Sequence, residues 1–440
     1  MTSRAFRLCE PYVFPLVPMT TTDYARNRST VSSSPRFPWV PRGADPATWM
    51  RETVTATLKR SHYFPLFNIP DPASPSRPHV QPGTTNITSV EVIEQLHRLQ
   101  IESLRTPCGL SFSRRIGEAL AQVHIDWTPM PDEFQAAPGV VPPPTPINPR
   151  CSQRFCMLNG RLDVQDEMHS GLRAFGTGRT SPAIENGKPV LRLAAVIDIH
   201  SGSGKFAGLP GTMCVNGYIT PPNGLGLCLM IRMMDPEGKI ENGSSFAPLA
   251  PLQDPDPNAS LMVFLGEPDA SRPVELIPNS SGSGFIGSKV YERLRLVNFS
   301  CDTNGGRTLR GATSEGPIVG DVSAILYFNM LDPSPVIPIQ TRQGVFRFFD
   351  AARKEIGMLY SNMTEGRAFR QQLPELPMPV FRFGGFGPVL GGTGAFANAE
   401  GMMSLNAAIS VFPRTLSNLY LFRFYDPEHR LRDISSGLNA

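Results

Sequence analysis

Along Pro189–Ser201 apolar and polar positions alternate. Leu191, Leu193, Ala195, Ile197 and Ile199 fall on one side, and Val190, Arg192, Ala194, Val196, Asp198 and His200 on the other. A period of two is that of a β-strand with two distinct faces. Short runs of this type, broken by Gly, Pro and Asn, fill the chain from about residue 150 onward, with strands expected at Leu227–Met234 and Val290–Phe299 and one short helix at Ala351–Tyr360. Upstream the periodicity reads as helical. Asp45-Pro46 suits a helix start followed by Met50, Val54 and Leu58. Thr88–Glu91 resembles a capping box leading into Val92, Leu96 and Leu99 to about Arg105, and a further helix is expected at Ser113–Val123. Prolines punctuate this plan, with five in 70–82 and eight in 129–149. The organisation expected is an extended arm (1–44), a helical N-terminal region (45–128), a Pro-rich linker (129–149), β units over 150–335 and a last β unit over 336–440.

The β region matches itself at a spacing of 190 residues. Pro189-Val190-Leu191-Arg192-Leu193 lies over Pro379-Val380-Phe381-Arg382-Phe383, and Gly202-Ser203-Gly204-Lys205-Phe206-Ala207 over Gly392-Thr393-Gly394-Ala395-Phe396-Ala397. Gly211 falls on Gly401 and Asn216 on Asn406. After one extra residue, Arg232-Met233-Met234-Asp235-Pro236-Glu237 falls on Arg423-Phe424-Tyr425-Asp426-Pro427-Glu428. A fainter middle copy is read at Leu294-Arg295-Leu296, with Gly305 and the turn Asn329-Met330-Leu331-Asp332-Pro333. Each unit thus carries an arginine on a strand and an Asp-Pro turn about forty residues later, the turn fitting type I geometry. Strands of this kind must close or pack on one another to hide their edges, so the fold class expected is mainly β, with repeated antiparallel units forming one or two closed barrels.

Composition narrows the classes. With 41 Lys+Arg against 38 Asp+Glu the net charge is only +3, and no basic run exceeds two residues, which argues against nucleic acid as a partner. No apolar stretch reaches the roughly 18 residues of a membrane span. Glu10, Pro11 and Pro15 interrupt the only early apolar stretch, which makes a poor signal peptide. Seven cysteines without a Cys-x-x-Cys pair suggest reduced thiols and a cytoplasmic setting, with no metal centre.

Arg192, Asp198 and His200 share one strand face. In a pocket, the arginine would hold a carboxylate or enolate while Asp198 or His200 moved a proton; in the bland alternative they are a solvated face. The second copy has Phe386 and Pro388 in place of Val196 and Asp198, so the first copy is the expected site. Arg232, Met230, Met234, Arg382 and Arg423 are candidate ligand-contacting residues, with structural tethering and core packing as their alternatives. Ser201–Lys205 suggests a phosphate loop, but Ile199 and Phe206 stand where that loop needs Gly and Ser/Thr. Gly282–Gly287 has dinucleotide-binding spacing, yet a strand follows it instead of a helix. No cofactor is expected.

The segments Gly202–Thr212 and Gly392–Gly401 resemble the Gly-x-Gly-x-Phe/Tyr-x-Gly-Ala-x-Gly stretch of the allene oxide cyclase and dirigent proteins. The resemblance covers two windows of about ten residues. It implies an eight-stranded antiparallel barrel with an apolar lumen, a hydrophobic small molecule as partner, and cofactor-free cyclisation or isomerisation. The family's carboxylates and arginines find no matching motifs here. A non-enzymatic carrier, or an assembly protein using its repeat surfaces to form a homo-oligomer, is the competing class.

Overall fold

In a computed structural model of the 440-residue chain, the described residues are 19–20, 45, 61–74, 77–80, 82, 87–102, 109–129, 151–164, 168–220, 224–235, 240, 258–278, 284–301, 311–328, 334–372, 379–410 and 415–431. Almost all of them lie in antiparallel strands, which close into two eight-stranded barrels.

The first barrel runs β2 (Ser61–Pro70), β4 (Ile87–Glu102), β5 (Gly109–Pro129), β6 (Cys151–Val164), β7 (Gly171–Glu185), β8 (Lys188–Ser203), β9 (Gly211–Thr220) and β10 (Gly224–Met234). Each strand pairs with the next, and β10 pairs back onto β2. The short β3 (Arg77–Val80) adds to β4. The second barrel runs β11 (Ala259–Pro268), β13 (Gly284–Cys301), β14 (Gly311–Phe328), β15 (Val336–Phe349), β16 (Glu355–Ser361) with β17 (Glu365–Gln371) in one position, β18 (Val380–Gly394), β19 (Glu400–Ser410) and β20 (Thr415–Tyr425). It closes through β20 on β11. Two short strands, β1 (Met19–Thr20) and β12 (Glu275–Pro278), pair with β13. Closure leaves neither barrel with a free edge.

Corresponding strands pair in the same register. Ala194 lies opposite Asn216 and Gly384 opposite Asn406; Leu229 lies opposite Val215 and Tyr420 opposite Leu405. A second correspondence, spaced 198 residues, joins the barrel openings. Pro70 pairs with Glu94 and Pro268 with Glu292. The Asp71 and Asp269 amides donate to the Ile93 and Tyr291 carbonyls at 3.1 and 3.0 Å. Paired β-bulges fall at Leu96/His97 and His97/Leu99, and again at Leu294/Arg295 and Arg295/Val297.

Alternation puts one side of every strand into a lumen. The first lumen is largely aliphatic, with Leu66, Leu96, Ile197, Val215, Leu229 and Ile231 among its residues. The second is filled by rings: Phe264, Phe346, Phe348, Phe396, Phe422 and Phe424 pack with centroids 4.5 to 5.9 Å apart. On β8–β10 and β18–β20 the outer side is buried as well, because the two barrels pack there against each other. Ala194, Val196 and Cys214 meet Phe369, Phe386 and Met402, while Phe67, Cys228 and Met230 meet Leu261, Leu419 and Leu421. Gly384 permits this approach, since a Cβ there would collide with Val196.

Several sequence expectations are corrected. Within the segments read as helices at Thr88–Arg105 and Ser113–Val123, residues 88–102 lie in β4 and 113–123 in β5, and Ala351–Tyr360 is a turn over 351–354 running into β16. Val92 and Leu96 mimic helical spacing because residues four apart share a face in a strand as well as in a helix. Leu294–Leu296, read as a middle copy of Leu191–Leu193, lies in β13, which holds the place of β4 rather than of β8. Of the helix expected from Asp45 to Leu58 all but Asp45 falls outside the described residues, as do the 130–149 part of the linker, Gly305 and the turn at 329–333.

Phe422 is fully buried and packs edge-on against Phe264 and Phe346. Phe422→Ala is expected to cost about 3–5 kcal/mol through lost transfer energy and the cavity left behind, measured by urea unfolding. A loss under about 1 kcal/mol would show a loosely packed lumen.

Candidate functional site

Arg192, Asp198 and His200 do share the outer face of β8, and that face looks away from the lumen. Arg192 donates to Glu185 at 2.9 Å within its own barrel and to Glu400 of the second barrel at 2.8 Å. Asp198 accepts from Arg382 at 3.1 Å, and Arg382 also donates to the Gly211 carbonyl and to Thr212. His200 is exposed, with its ring 5.3 Å from that of Phe175. The expected ligand-contacting residues lie on the same seam between the barrels. Arg423 donates to both oxygens of Glu185 and lies over the Tyr218 ring, Arg232 donates to the Ser417 carbonyl at 2.9 Å, and Met230 packs among the seam apolar residues. Met234 is buried on the same outer side of β10.

The electrostatics of the seam follow from burial. Burial would raise the Glu185 carboxyl, but Arg423 and Arg192 together hold it below its ordinary value. Asp198, with Arg382 as its near partner and His200 more distant, is raised because burial outweighs both. Burial likewise lowers Arg382 and Arg232.

The lumens hold polar groups that the sequence reading missed. In the first, Glu94 and Asn68 face inward beside Leu96 and Leu66 and are only 5% and 2% exposed. Asn68 Nδ2 donates to Glu94 Oε2 at 2.6 Å, while Asn68 Oδ1 is buried without a hydrogen-bond partner among the described residues. Burial pushes the Glu94 carboxyl up to about 7, the Asn68 hydrogen bond opposing only part of the rise. Glu94 is therefore a neutral acid below neutrality, able to donate as well as accept. Ala119, directly opposite on β5, keeps the wall beside it small.

Glu292, at the corresponding place in the second lumen, is engaged differently. Asn418 Nδ2 donates to it at 2.7 Å and the Tyr420 hydroxyl at 3.1 Å. Gly266, where the first barrel has Asn68, leaves room for the carboxylate: a Cβ there would collide with Glu292 Oε2. Burial and the neighbouring Glu292 push the Tyr420 hydroxyl far above its ordinary value, so it remains a donor. On the outside of the second barrel, a cavity of about 300 Å³ is lined by Asp269, Arg293, Asp321 and Arg353, but Asp269 and Asp321 are engaged by Arg293 and Arg347. Among the described residues no group of three or more His, Cys, Asp or Glu could hold a metal ion, and no helix is long and apolar enough to cross a membrane. Cys214 and Cys228 are buried and in no disulfide.

No protein-family profile matches the chain, and no curated protein matches it. Among solved structures, that of a pterocarpan synthase dirigent protein aligns with 38% of this chain and 84% of its own, at 14% identity and a TM-score of 0.23. The likeness concerns the barrel fold alone.

A raised folded-state carboxyl favours the folded protein below the ordinary glutamate value of 4.5, and that advantage is lost as pH rises through about 7. The loss attributable to Glu94 is of order 3 kcal/mol. Glu94→Gln is expected to remove this part of the fall in stability between pH 5 and pH 8, measured by urea unfolding at each pH. A variant whose stability falls as steeply as that of the natural protein would contradict the assignment.

Proposed function

We propose that the first barrel binds an uncharged hydrophobic small molecule in its lumen, with Glu94 and Asn68 as the polar end of the site. The observation that carries this reading is a near-neutral carboxyl beside an unpartnered Asn68 Oδ1, both inside an apolar wall. Burying such groups unsatisfied costs free energy, and a ligand with one donor and one acceptor would satisfy both. A ligand carboxylate would be disfavoured there, since it would sit against Glu94 in a desolvated lumen.

The contrast between the lumens supports choosing the first. At matching places it has Leu66, Leu193, Ile231 and Met233 where the second has Phe264, Phe383, Phe422 and Phe424. Less ring volume in a barrel of equal strand number favours a guest.

If the protein is an enzyme, the chemistry within reach is cofactor-free isomerisation. Glu94 would give its proton to a ligand oxygen and recover one from an adjacent carbon, so that protons balance and no redox partner is consumed. In this reading Arg192, Asp198, Arg382 and Arg423 join the barrels and do not touch the ligand. The alternative of an assembly protein draws on the ring-filled second lumen and the extensive seam.

Two measurements separate these readings. Native mass spectrometry of protein from its own host is expected to show one uncharged lipophilic compound per chain. N-phenyl-1-naphthylamine, a neutral probe whose N–H suits Asn68 Oδ1, is expected to bind at one site, about tenfold more weakly after Asn68→Leu and unchanged after Glu292→Gln. No bound compound, together with probe binding indifferent to Asn68, would favour the assembly reading.

A further inference from the structure

Exchanging the two barrels leaves the asparagine contacts at the centre of the seam unchanged. Asn216 Nδ2 donates to the Met402 carbonyl at 2.8 Å and to the Leu421 carbonyl at 3.3 Å. Asn406 Nδ2 donates to the Thr212 carbonyl at 2.8 Å and to the Met230 carbonyl at 3.0 Å. Under the spacing that carries Asn216 to Asn406, Thr212 goes to Met402, and under the one-residue-longer spacing of β10 and β20, Met230 goes to Leu421. Each asparagine therefore does to the opposite barrel what its counterpart does in return. That reciprocity is the mark of an isologous contact, in which one surface patch meets its own copy about a two-fold axis.

The arginines keep their places but not their partners: Arg192 and Arg382 are equivalent and each finds an acid across the seam, yet the counterparts of those acids, Glu400 and Asp198, are Pro210 and Pro388. Buried hydrogen bonds after β10 and β20 also match: the Ile240 amide donates to Asp235 Oδ2 at 2.8 Å, and the Leu431 amide to Asp426 Oδ2 at 2.9 Å. Independent strands packed by chance would share neither their bulges nor their cross-seam bonds.

We infer that the two barrels are copies of one unit and that their seam is a two-fold dimer interface made within a single chain. The partner that the outer face of β8–β10 fits is a second copy of the same barrel, and the chain supplies it in cis. Whatever the lumens hold, covalent linkage then raises the effective concentration of an association that the faces themselves specify.

The test cuts the full-length protein. A protease site is inserted between residues 244 and 252, the purified protein is cleaved, and the product is followed by size exclusion and native mass spectrometry on dilution. The expected product is one particle holding one copy of each half. Asn216→Leu and Asn406→Leu are each expected to raise the dissociation constant of the cut halves by about tenfold or more, and by similar factors, since each removes an equivalent pair of buried hydrogen bonds. Should a leucine variant fail to fold, Asn→Ser at the same position serves the same comparison. Separation of the cut natural protein, or weakening by one substitution and not the other, would overturn the inference.

Discussion

The last three strands of each barrel are buried on both faces, and the architecture follows from that constraint. A barrel closed on its own hides its strand edges and fills its lumen, but its outer wall must still meet water. Here β8–β10 and β18–β20 are apolar outside as well as inside. Neither outer wall can be left exposed without a large apolar patch. The fold resolves this by setting one apolar wall on the other, so the seam is as much part of the core as either lumen.

Polar groups within that seam are placed where the cost of burial can be met. The two asparagines reach backbone carbonyls across it, and the arginines reach carboxylates, so most donors entering the dry region find an acceptor. Ion pairs of this type contribute little net stability, because desolvation offsets the attraction. Their contribution is to register: a one-residue slip would turn Arg192 and Arg382 into the lumens and bring apolar side chains against Glu400 and Asp198. The opposite displacements of Glu185 and Asp198 express the same balance, two arginines outweighing burial at one carboxyl and one failing to do so at the other.

How much of this was legible in the sequence depends on local pattern. The alternation at Leu191–His200 and the 190-residue match placed β8, β18 and their neighbours correctly, because one side of β8 is uniformly apolar while Arg192, Asp198 and His200 interrupt the other, which leaves a clear period of two. The recurring arginines were visible, but not that their face meets a second barrel, since nothing in one strand records what covers it. Glu94 was hidden by the helical reading of its segment, since Val92 and Leu96, four residues apart, share a face in a strand as in a helix, and Asn68 lay in a stretch assigned to no particular element. The Pro70-Asp71 and Pro268-Asp269 pair could have exposed the correspondence that includes Glu94 and Glu292. Two residues are too short a match to stand out without the pairing around them.

That correspondence also explains what distinguishes the lumens. Both barrels keep a glutamate at the same buried place, while its hydrogen-bond donors have moved to different strands. In the first barrel the donor is Asn68 on β2, and the residues on β10 at the places of Asn418 and Tyr420 are Leu227 and Leu229. In the second barrel the β11 position is Gly266 and the donors come from β20. With two donors and a wall of rings, Glu292 is held as a fixed element of packing. With one donor, a small neighbour in Ala119 and an aliphatic wall, Glu94 retains a proton it can exchange near neutrality. Asn418 Oδ1 is without a hydrogen-bond partner among the described residues, as Asn68 Oδ1 is, so the two carboxyls are set apart by their donors and walls: the charge state of Glu94 is poised near neutrality while Glu292 is held by two donors.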